Sequence, residues 1–297
     1  MPRLDRRLRD THPDLSWRQI RDAIEQGQVT IDGRVQRDPG HEVISRANVK
    51  LDRNRPAQKR TRAPFDILHE DDQILVIDKP AGVLSIPTTP GQGDSEDTIL
   101  RRAREYVAHQ HGRRSYVGML HRLDRDTSGA LAIALSKDAH AAGRELFKHH
   151  RFERHYLALV QGIPKVEQGT ISSRISSEYK AGRRRLVGQQ QEGLDATTDY
   201  VVREQFARAA LVELQLHTGR QHQIRLHLEK LGHPLLGEKV YTADEKTLPP
   251  RPPGWSPRAM LHAWTLAFPN PVTQAQISVE APLPADFKEL LTRLRRA

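Results

Sequence analysis

A run of charged residues between two apolar stretches is the feature of this sequence that most constrains its fold. Residues 121–129 read His-Arg-Leu-Asp-Arg-Asp-Thr-Ser-Gly, and two carboxylates and two guanidiniums lie close together within them. The apolar stretches are residues 117–120 and 130–135, and the second is long enough for a buried strand. The pattern predicts a charged loop at the rim of a core, where an unpaired charge is costly. From the residues alone, mutually paired charges and a catalytic carboxylate are equally good interpretations.

The charge balance favours a nucleic acid as the partner. The 297 residues contain 47 Lys and Arg against 37 Asp and Glu, a net charge of +10. Each phosphate that a basic surface neutralises releases counterions, which drives binding. An anionic membrane is the competing partner, but no amphipathic helix with a basic face is evident. We therefore predict RNA or DNA binding and no membrane partner.

Cellular location is predicted from three further features of composition. No run of 18 apolar residues could form a transmembrane helix, and the first residues lack the apolar segment of a signal peptide. The sequence contains no cysteine, which excludes disulfides, thiolate metal sites and a cysteine nucleophile. These features predict a cytoplasmic protein.

The basic residues are concentrated at the start of the chain. Residues 1–63 hold 15 Lys and Arg against 9 Asp and Glu, whereas the other 234 residues hold 32 against 28. Within this module, Ser16 is a candidate cap for a helix from Trp17 to Ile24 that Gly27 ends. Val29–Ile31 alternates like a strand, and Asp32-Gly33 is a hairpin signal. The arginines expected on its solvent side are Arg6, Arg7, Arg18, Arg21 and Arg34.

The rest of the chain predicts an α+β domain. We divide the sequence into a small domain at 1–60 and a larger one at 61–297, joined by a basic, proline-containing linker near 52–64. Strand-like runs with few regular strand–helix alternations favour α+β over a doubly wound sheet. Residues 248–257, rich in proline, predict a surface loop. The predicted strands are 74–77, 130–135, 156–160 and 212–216, and the predicted helices are 98–107, 137–147 and one that begins after Gly219.

Residues 121–129 resemble the signature of the pseudouridine synthases that modify ribosomal and transfer RNA, of the large-subunit-ribosomal type. The resemblance implies that Asp124 is catalytic. It also implies a mixed, mostly antiparallel sheet with the active cleft along it. Residues 4–33 resemble the S4 RNA-binding domain that often precedes the catalytic domain in this family. The basic residues Arg6, Arg18, Arg21 and Arg34 are therefore predicted to bind RNA.

Two further segments resemble motifs of the same family. In residues 154–162, Tyr156 matches a tyrosine that packs against the target base, although a tyrosine beginning an apolar strand is more often a core residue. In residues 216–237, Arg225 borders an apolar helical face and needs an anion; from the residues alone this is a carboxylate or a phosphate. The resemblance implies an Arg225–Asp124 contact, which would keep the buried carboxylate ionised. Gln221 and Glu238 replace the usual Thr and Asp, and neither change is expected to touch the chemistry.

Four histidines in this segment invite a metal interpretation, which their spacing does not support. The set is His217, His222, His227 and His233. Separations of 5, 5 and 6 residues fit neither one helix face nor one strand face. We interpret them as hydrogen-bonded surface histidines. Since no nucleotide-binding motif is present either, we predict neither a metal nor a cofactor.

The most consistent prediction is a monomeric RNA pseudouridine synthase, an isomerase acting on ribosomal RNA or, alternatively, on transfer RNA. Arg122 is predicted to bind RNA at the site, and Ile224 and Leu226 are predicted to line its pocket. Two other classes stay open. One is a non-catalytic RNA-binding or ribosome-assembly protein. The other is a hydrolase that uses Asp124 and His121, although glycoside hydrolysis normally requires two facing carboxylates.

Overall fold

The structure is a computed structural model that describes residues 2–55, 63–88, 96–111, 115–179, 182–242, 256 and 258–296. It divides into two compact units. The first consists of Met1–Pro64 with Leu100–Val117, and the second of Phe65–Ile99 with Gly118–Ala297. The first unit therefore includes residues 100–117 in addition to the N-terminal segment. No helix among the described residues combines the length and the apolar character needed to cross a membrane.

The first unit begins with two helices followed by a small antiparallel sheet. The predicted helix is confirmed: Ser16 accepts from the backbone N–H of Gln19, whose side chain accepts from the Ser16 N–H in return. The predicted hairpin is also present, with Asp32 and Gly33 both at positive φ, as its tight turn requires. The elements are α1 (Leu4–Thr11), α2 (Trp17–Glu25), β1 (Val29–Ile31), β2 (Arg34–Val35) and β3 (Val49–Leu51).

The predicted RNA-binding arginines of this unit differ in how far they are engaged with the protein. Arg6 is exposed, and the Arg18 side chain is 92% exposed with only a 3.9 Å approach to Asp22. Arg21 lies 3.5 Å from the buried carboxylate of Asp5. The side chain of Arg34 lies outside the described part of the structure. Arg6 and Arg18 are therefore the least engaged of the four.

The remaining elements, apart from one helix that lies largely in the first unit, form the second unit. In chain order they are β4 (Asp66–Glu70), β5 (Ile74–Lys79), α3 (Ile99–His111, the helix of the first unit), β6 (Gly118–Met119), β7 (Ser128–Ala134), α4 (Lys137–Lys148), β8 (Glu153–Gln161), β9 (Gln168–Ile175), β10 (Leu186–Val187), β11 (Leu194–Gln205), β12 (Ala209–Leu216), α5 (Gln223–Lys230), β13 (Leu261–Pro269), β14 (Gln276–Glu280) and α6 (Ala285–Arg296). The predicted strands and helices are all present, with bounds that differ by a few residues. The proline-rich segment lies outside the described residues except for Ser256, as does the linker from 56 to 62.

These strands form one mixed sheet in the order β10-β9-β11-β12-β8-β13-β7-β5-β4, with β14 on β13 and β6 on β7. The pairings are antiparallel except that of β7 with β13. The predicted fold class, a mostly antiparallel α+β sheet, is confirmed. The parallel pair depends on Gly129, whose φ is 112° and where a Cβ would lie 2.1 Å from the Ala263 carbonyl oxygen. Only glycine allows this approach.

The core is packed on the sheet by helices. Residues of β5, β7 and β13 pack with Ala139 of α4 and with Phe152. Residues of β8 and β12 pack with Phe287 and Leu290 of α6. Strand β7 is buried along its whole length. The loop that precedes β7 is therefore anchored to a fully buried interior strand of the sheet.

Candidate active site

The charged loop is fixed from behind by the turn that follows β5. Ser85 Oγ donates to the Leu123 carbonyl at 2.7 Å and accepts from the Leu123 N–H at 3.0 Å. Lys79, completely buried, donates to the Arg125 carbonyl at 3.0 Å. The backbone on both sides of Asp124 is thus held by hydrogen bonds. Lys79 and Ser85, which flank this turn, therefore support the loop that carries Asp124.

Asp124 faces the start of α5 across a cavity of about 160 Å³. Its Oδ2 lies 3.6 Å from Nη1 of Arg225, so the predicted contact between these residues is present. Its Oδ1 lies 3.8 Å from Nε2 of His222. Both distances exceed that of a hydrogen bond. Asp124 is therefore a partly buried carboxylate between two donors that approach it without binding it tightly.

Glu238 is the main partner of Arg225. Its carboxylate binds Arg225 in a bidentate manner, at 2.7 Å to Nε and 2.6 Å to Nη2. Burial would raise the pKa of Glu238, but the hydrogen bonds and charge of Arg225 outweigh it and hold that pKa below its usual value. Burial alone would lower the pKa of Arg225, but Glu238 raises it. Both groups are therefore ionised at neutral pH.

His222 is the third group at Asp124, and sequence reasoning placed it at the surface. It precedes α5 with φ 61°, a left-handed conformation that is rare for residues other than glycine. Its Nδ1 lies 2.6 Å from the Tyr241 hydroxyl, which also accepts from the Arg184 N–H at 2.8 Å. We assign the tautomer in which the hydroxyl donates to Nδ1 and the ring proton lies on Nε2, towards Asp124. Burial lowers the pKa of His222 and favours this neutral form.

Tyr156 lines the same cavity from β8. Burial raises its pKa to about 12, with the charge of Arg154 opposing the shift and that of Asp124 adding to it. The side chain is therefore a neutral phenol at physiological pH. It offers a ring face and a hydroxyl group beside Asp124 rather than a phenolate.

His121 does not have the properties of a general acid. Its Nε2 accepts a hydrogen bond from the Ala132 N–H at 3.0 Å, and its ring stacks on Phe147. Burial, and then the charge of Arg154, lower its pKa to about 3. A hydrolase would also need a second carboxylate, and the charged run offers Asp126. Its backbone carbonyl accepts from Arg258 at 2.8 Å, and Asp126 does not line the cavity. Neither residue supports the hydrolase interpretation.

The two predicted pocket residues, Ile224 and Leu226, lie on different faces of α5. Ile224 and the exposed Arg122 line the cavity. Leu226 does not: it is buried in an apolar cluster with Ile175, Ala196 and Tyr241. The prediction for Leu226 is therefore wrong, because residues two apart on a helix do not share a face.

The four histidines are also distributed differently from the prediction. His227 is completely buried, between hydroxyls of Ser173 and Thr198 at 2.8 Å each. Burial, and then the charge of Lys230, lower its pKa to about 4, so it is a neutral structural residue. The expectation of a surface histidine is wrong here and at His222. Within the described part of the chain, no group of three or more His, Cys, Asp or Glu side chains is placed to hold a metal ion.

Comparison with known proteins agrees with this geometry. The profile of the RNA pseudouridylate synthase family matches residues 73–230. The chain belongs to this family. The S4 domain profile matches residues 2–43, which places the S4 resemblance in the basic N-terminal module.

Individual relatives extend the similarity to almost the full chain. An uncharacterized RNA pseudouridine synthase of Chlorobaculum parvum is 34% identical over 99% of this chain and 94% of its own. A ribosomal large subunit pseudouridine synthase D of Nitrosomonas europaea is 34% identical over 99% and 84%. Among solved structures, human RNA pseudouridylate synthase domain containing 4 has a TM-score of 0.64 and 26% identity over 77% of this chain and 93% of its own. The pseudouridine synthase fold therefore applies to this chain.

Proposed function

We propose that this enzyme isomerises uridines of structured ribosomal RNA to pseudouridine, with Asp124 as the catalytic group. The observation that carries the proposal is the position of Asp124, 3.6 Å from Arg225 in a cavity that Tyr156 also lines. In the reaction, the N1–C1′ bond of a uridine breaks and a C5–C1′ bond forms. C5 loses a proton and N1 gains one, so that nothing enters or leaves overall.

Asp124 acts at the reacting nucleotide in one of three ways. As a nucleophile it attacks C1′ of the ribose or C6 of the base, and as a base it removes the C2′ proton. Each role needs an ionised carboxylate that is within reach of the nucleotide and not locked in a tight ion pair. Its 20% exposed side chain and its long distance from Arg225 fit that requirement.

The residues around Asp124 bind the RNA and orient the reacting groups. The target base has to leave its stack to reach a buried carboxylate, as in other base-modifying enzymes. Exposed Arg122 is placed to fill the vacated position and to bind a phosphate. Tyr156 stacks on the uracil, and its hydroxyl assists removal of the C5 proton by hydrogen bonding. Arg225, fixed by Glu238, orients Asp124.

Several observations support ribosomal RNA as the substrate. Relatives of nearly full coverage are named ribosomal large subunit pseudouridine synthase D. The N-terminal module adds exposed arginines suited to a phosphate backbone. A ribosomal substrate would place the enzyme in the cytoplasm.

Asp124→Asn tests the proposal because it keeps the shape of the side chain and removes only the charge. Tritium release from RNA labelled at C5 of uridine should be abolished, while thermal unfolding and RNA affinity stay close to wild type. Turnover within about tenfold of wild type, a change below 1.4 kcal/mol in the barrier, would exclude Asp124 as the catalytic group. No release by wild type would indicate a non-catalytic RNA-binding protein, and free uracil would indicate a hydrolase. Pseudouridine mapping in cells lacking the protein would distinguish ribosomal from transfer RNA.

A further inference from the structure

Arg154 is a buried cation in the cavity with no anionic partner among the described residues. It lies on β8, two residues before Tyr156, and is only 4% exposed. Its Nε is buried without a hydrogen-bond partner. Among the described residues, its one hydrogen bond is a weak donation from Nη2 to the Leu216 carbonyl at 3.4 Å. The backbone at Gly219 approaches it so closely that a Cβ there would lie 2.6 Å from Nη1.

The groups around this guanidinium are neutral. Phe147 lies under it, with 4.5 Å from Cζ to the ring centroid, which offsets part of the lost hydration. Its charge lowers the pKa of His121 and opposes the rise in that of Tyr156, so both of these neutral side chains lie within its field. A buried charge is normally paired or avoided, because removing it from water costs several kcal/mol. A buried cation without a counter-ion is therefore suited to bind a group of the substrate that carries or develops negative charge.

We propose that Arg154 is a catalytic residue that stabilises the negative charge developing on the carbonyl oxygens of the target uracil. The inference rests on the proposed isomerisation at Asp124. When the N1–C1′ bond breaks, its electron pair stays with N1 and delocalises onto O2 and O4 of the base. When C5 later bonds to C1′, the charge is withdrawn again, and the C5 proton is finally replaced by one on N1. A preorganised cation in a dry cavity lowers the barrier to the charged species.

The role does not depend on how Asp124 reacts. Attack at C1′ and removal of the C2′ proton both release uracil as an anion with charge on O2 and O4. Attack at C6 gives an enolate with charge on O4. Each of the three routes places negative charge on a uracil carbonyl oxygen. The alternative anion of the same substrate is a phosphate of the RNA backbone, which is charged before and after the reaction.

Arg154→Met and Arg154→Lys separate charge from packing. Methionine keeps an apolar stem over Phe147 and removes the buried charge, so the midpoint of thermal unfolding should stay equal or rise. Its single-turnover rate at saturating RNA should fall about 100- to 1,000-fold, as for loss of one oxyanion donor. Lysine keeps the charge and should recover most of that loss. Arg203→Met is the matched control: Arg203 is paired with Glu213 at 2.7 Å and does not line the cavity, so its rate should be unchanged.

The affinity for RNA shows whether Arg154 acts on the charged uracil or on a backbone phosphate. If Arg154 acts on the base, the Kd of Arg154→Met and its dependence on salt should match wild type. A weaker Kd with a salt slope reduced by about one would show a phosphate contact and overturn the inference. A lowered unfolding midpoint, or a rate within about threefold of wild type, less than 1 kcal/mol, would overturn it as well. If Asp124→Asn stays active, the proposed function itself fails, and that result is independent of these.

Discussion

Replacing Glu238 by Gln tests whether activity depends on the Glu238–Arg225 ion pair. Arg225 in turn lies next to Asp124, the residue proposed to act on the nucleotide. The Glu238 side chain is 2% exposed and binds Arg225 through both oxygens. Its Oε1 also accepts from the backbone N–H groups of Lys239 and Val240, at 2.9 Å and 2.8 Å. In glutamine, one of the two oxygens becomes an NH2 group. Whichever way the amide turns, it directs a donor at another donor.

The expected loss of stability follows from burial. Removing one partner of a buried ion pair costs about 3–5 kcal/mol, because the other charge is left uncompensated. For a domain of this size, each kcal/mol lowers the unfolding midpoint by roughly 2–4 °C. We expect Glu238→Gln to unfold roughly 6–20 °C below wild type at pH 7, by the same relation.

The expected loss of activity follows from geometry. Without Glu238, the carboxylate within ion-pair distance of Arg225 is Asp124, at 3.6 Å. Arg225 should then close on Asp124 and draw it from its reactive position. A displacement of about 1 Å at a reacting group can reduce the rate about 100-fold. We expect a kcat loss of that order with little change in RNA affinity.

Calorimetry across pH and single-turnover kinetics check both parts. The pKa of Glu238 in the folded protein lies below its ordinary value of 4.5. Its contribution to stability is therefore complete above about that pH and is lost as the pH falls through the folded pKa. The wild type and Glu238→Gln midpoints should converge in acid. Glu238→Asp, which keeps the charge on a shorter stem, should lie between them.

The reasoning is refuted if Glu238→Gln has the unfolding midpoint and kcat of wild type at pH 7. That result would mean that Asp124 is oriented without the ion pair. A lower midpoint with normal kcat would limit Glu238 to a structural role. Either outcome would remove Arg225 as a positioning residue for Asp124.

Two further predictions concern other residues. Arg6→Gln with Arg18→Gln should lower the salt slope of RNA binding by up to about 0.9 per lost phosphate contact, without changing the unfolding midpoint. Arg7→Gln should instead lower the unfolding midpoint and leave the salt slope unchanged, because the Arg7 guanidinium donates to three carbonyls between residues 44 and 47. Equal salt slopes for all variants would contradict RNA binding by this module. His222→Asn suits the left-handed backbone and keeps an acceptor for Tyr241, but loses the donor facing Asp124. Its kcat should fall about tenfold with unchanged Kd, and an unchanged kcat would exclude a role for that donor.

Most of the fold could be predicted because local patterns and tertiary structure agree. The capping signal at Ser16, the apolar run before Asp78 and the apolar run 130–135 each specify an element on their own. The helix predicted from 98 begins at Ile99 but continues to His111, since no strong stop signal ends it earlier. Boundaries depend on tertiary contacts and are less evident in the sequence.

The candidate site was predictable only in part. Motif resemblance placed Asp124, Tyr156 and Arg225 together, and they do line one cavity. The helical period could have excluded Leu226, because it lies two residues after Ile224. The burial of His227 depends on hydroxyls from strands 54 and 29 residues earlier, and no local pattern carries that information.

The charges of the site suggest why the roles of Glu238 and Arg154 could not be recognised from the sequence. Arg225 is committed to Glu238, so Asp124 keeps only approaches of 3.6 Å and 3.8 Å and stays available to react. Arg154 has no counter-ion among the described residues. A sequence shows which charges are present but not which of them lack a partner. Both departures from full pairing reduce stability, and both lie where the proposed reaction creates or transfers charge. That coincidence is expected of an active site, where local rules of stability are relaxed in favour of chemistry.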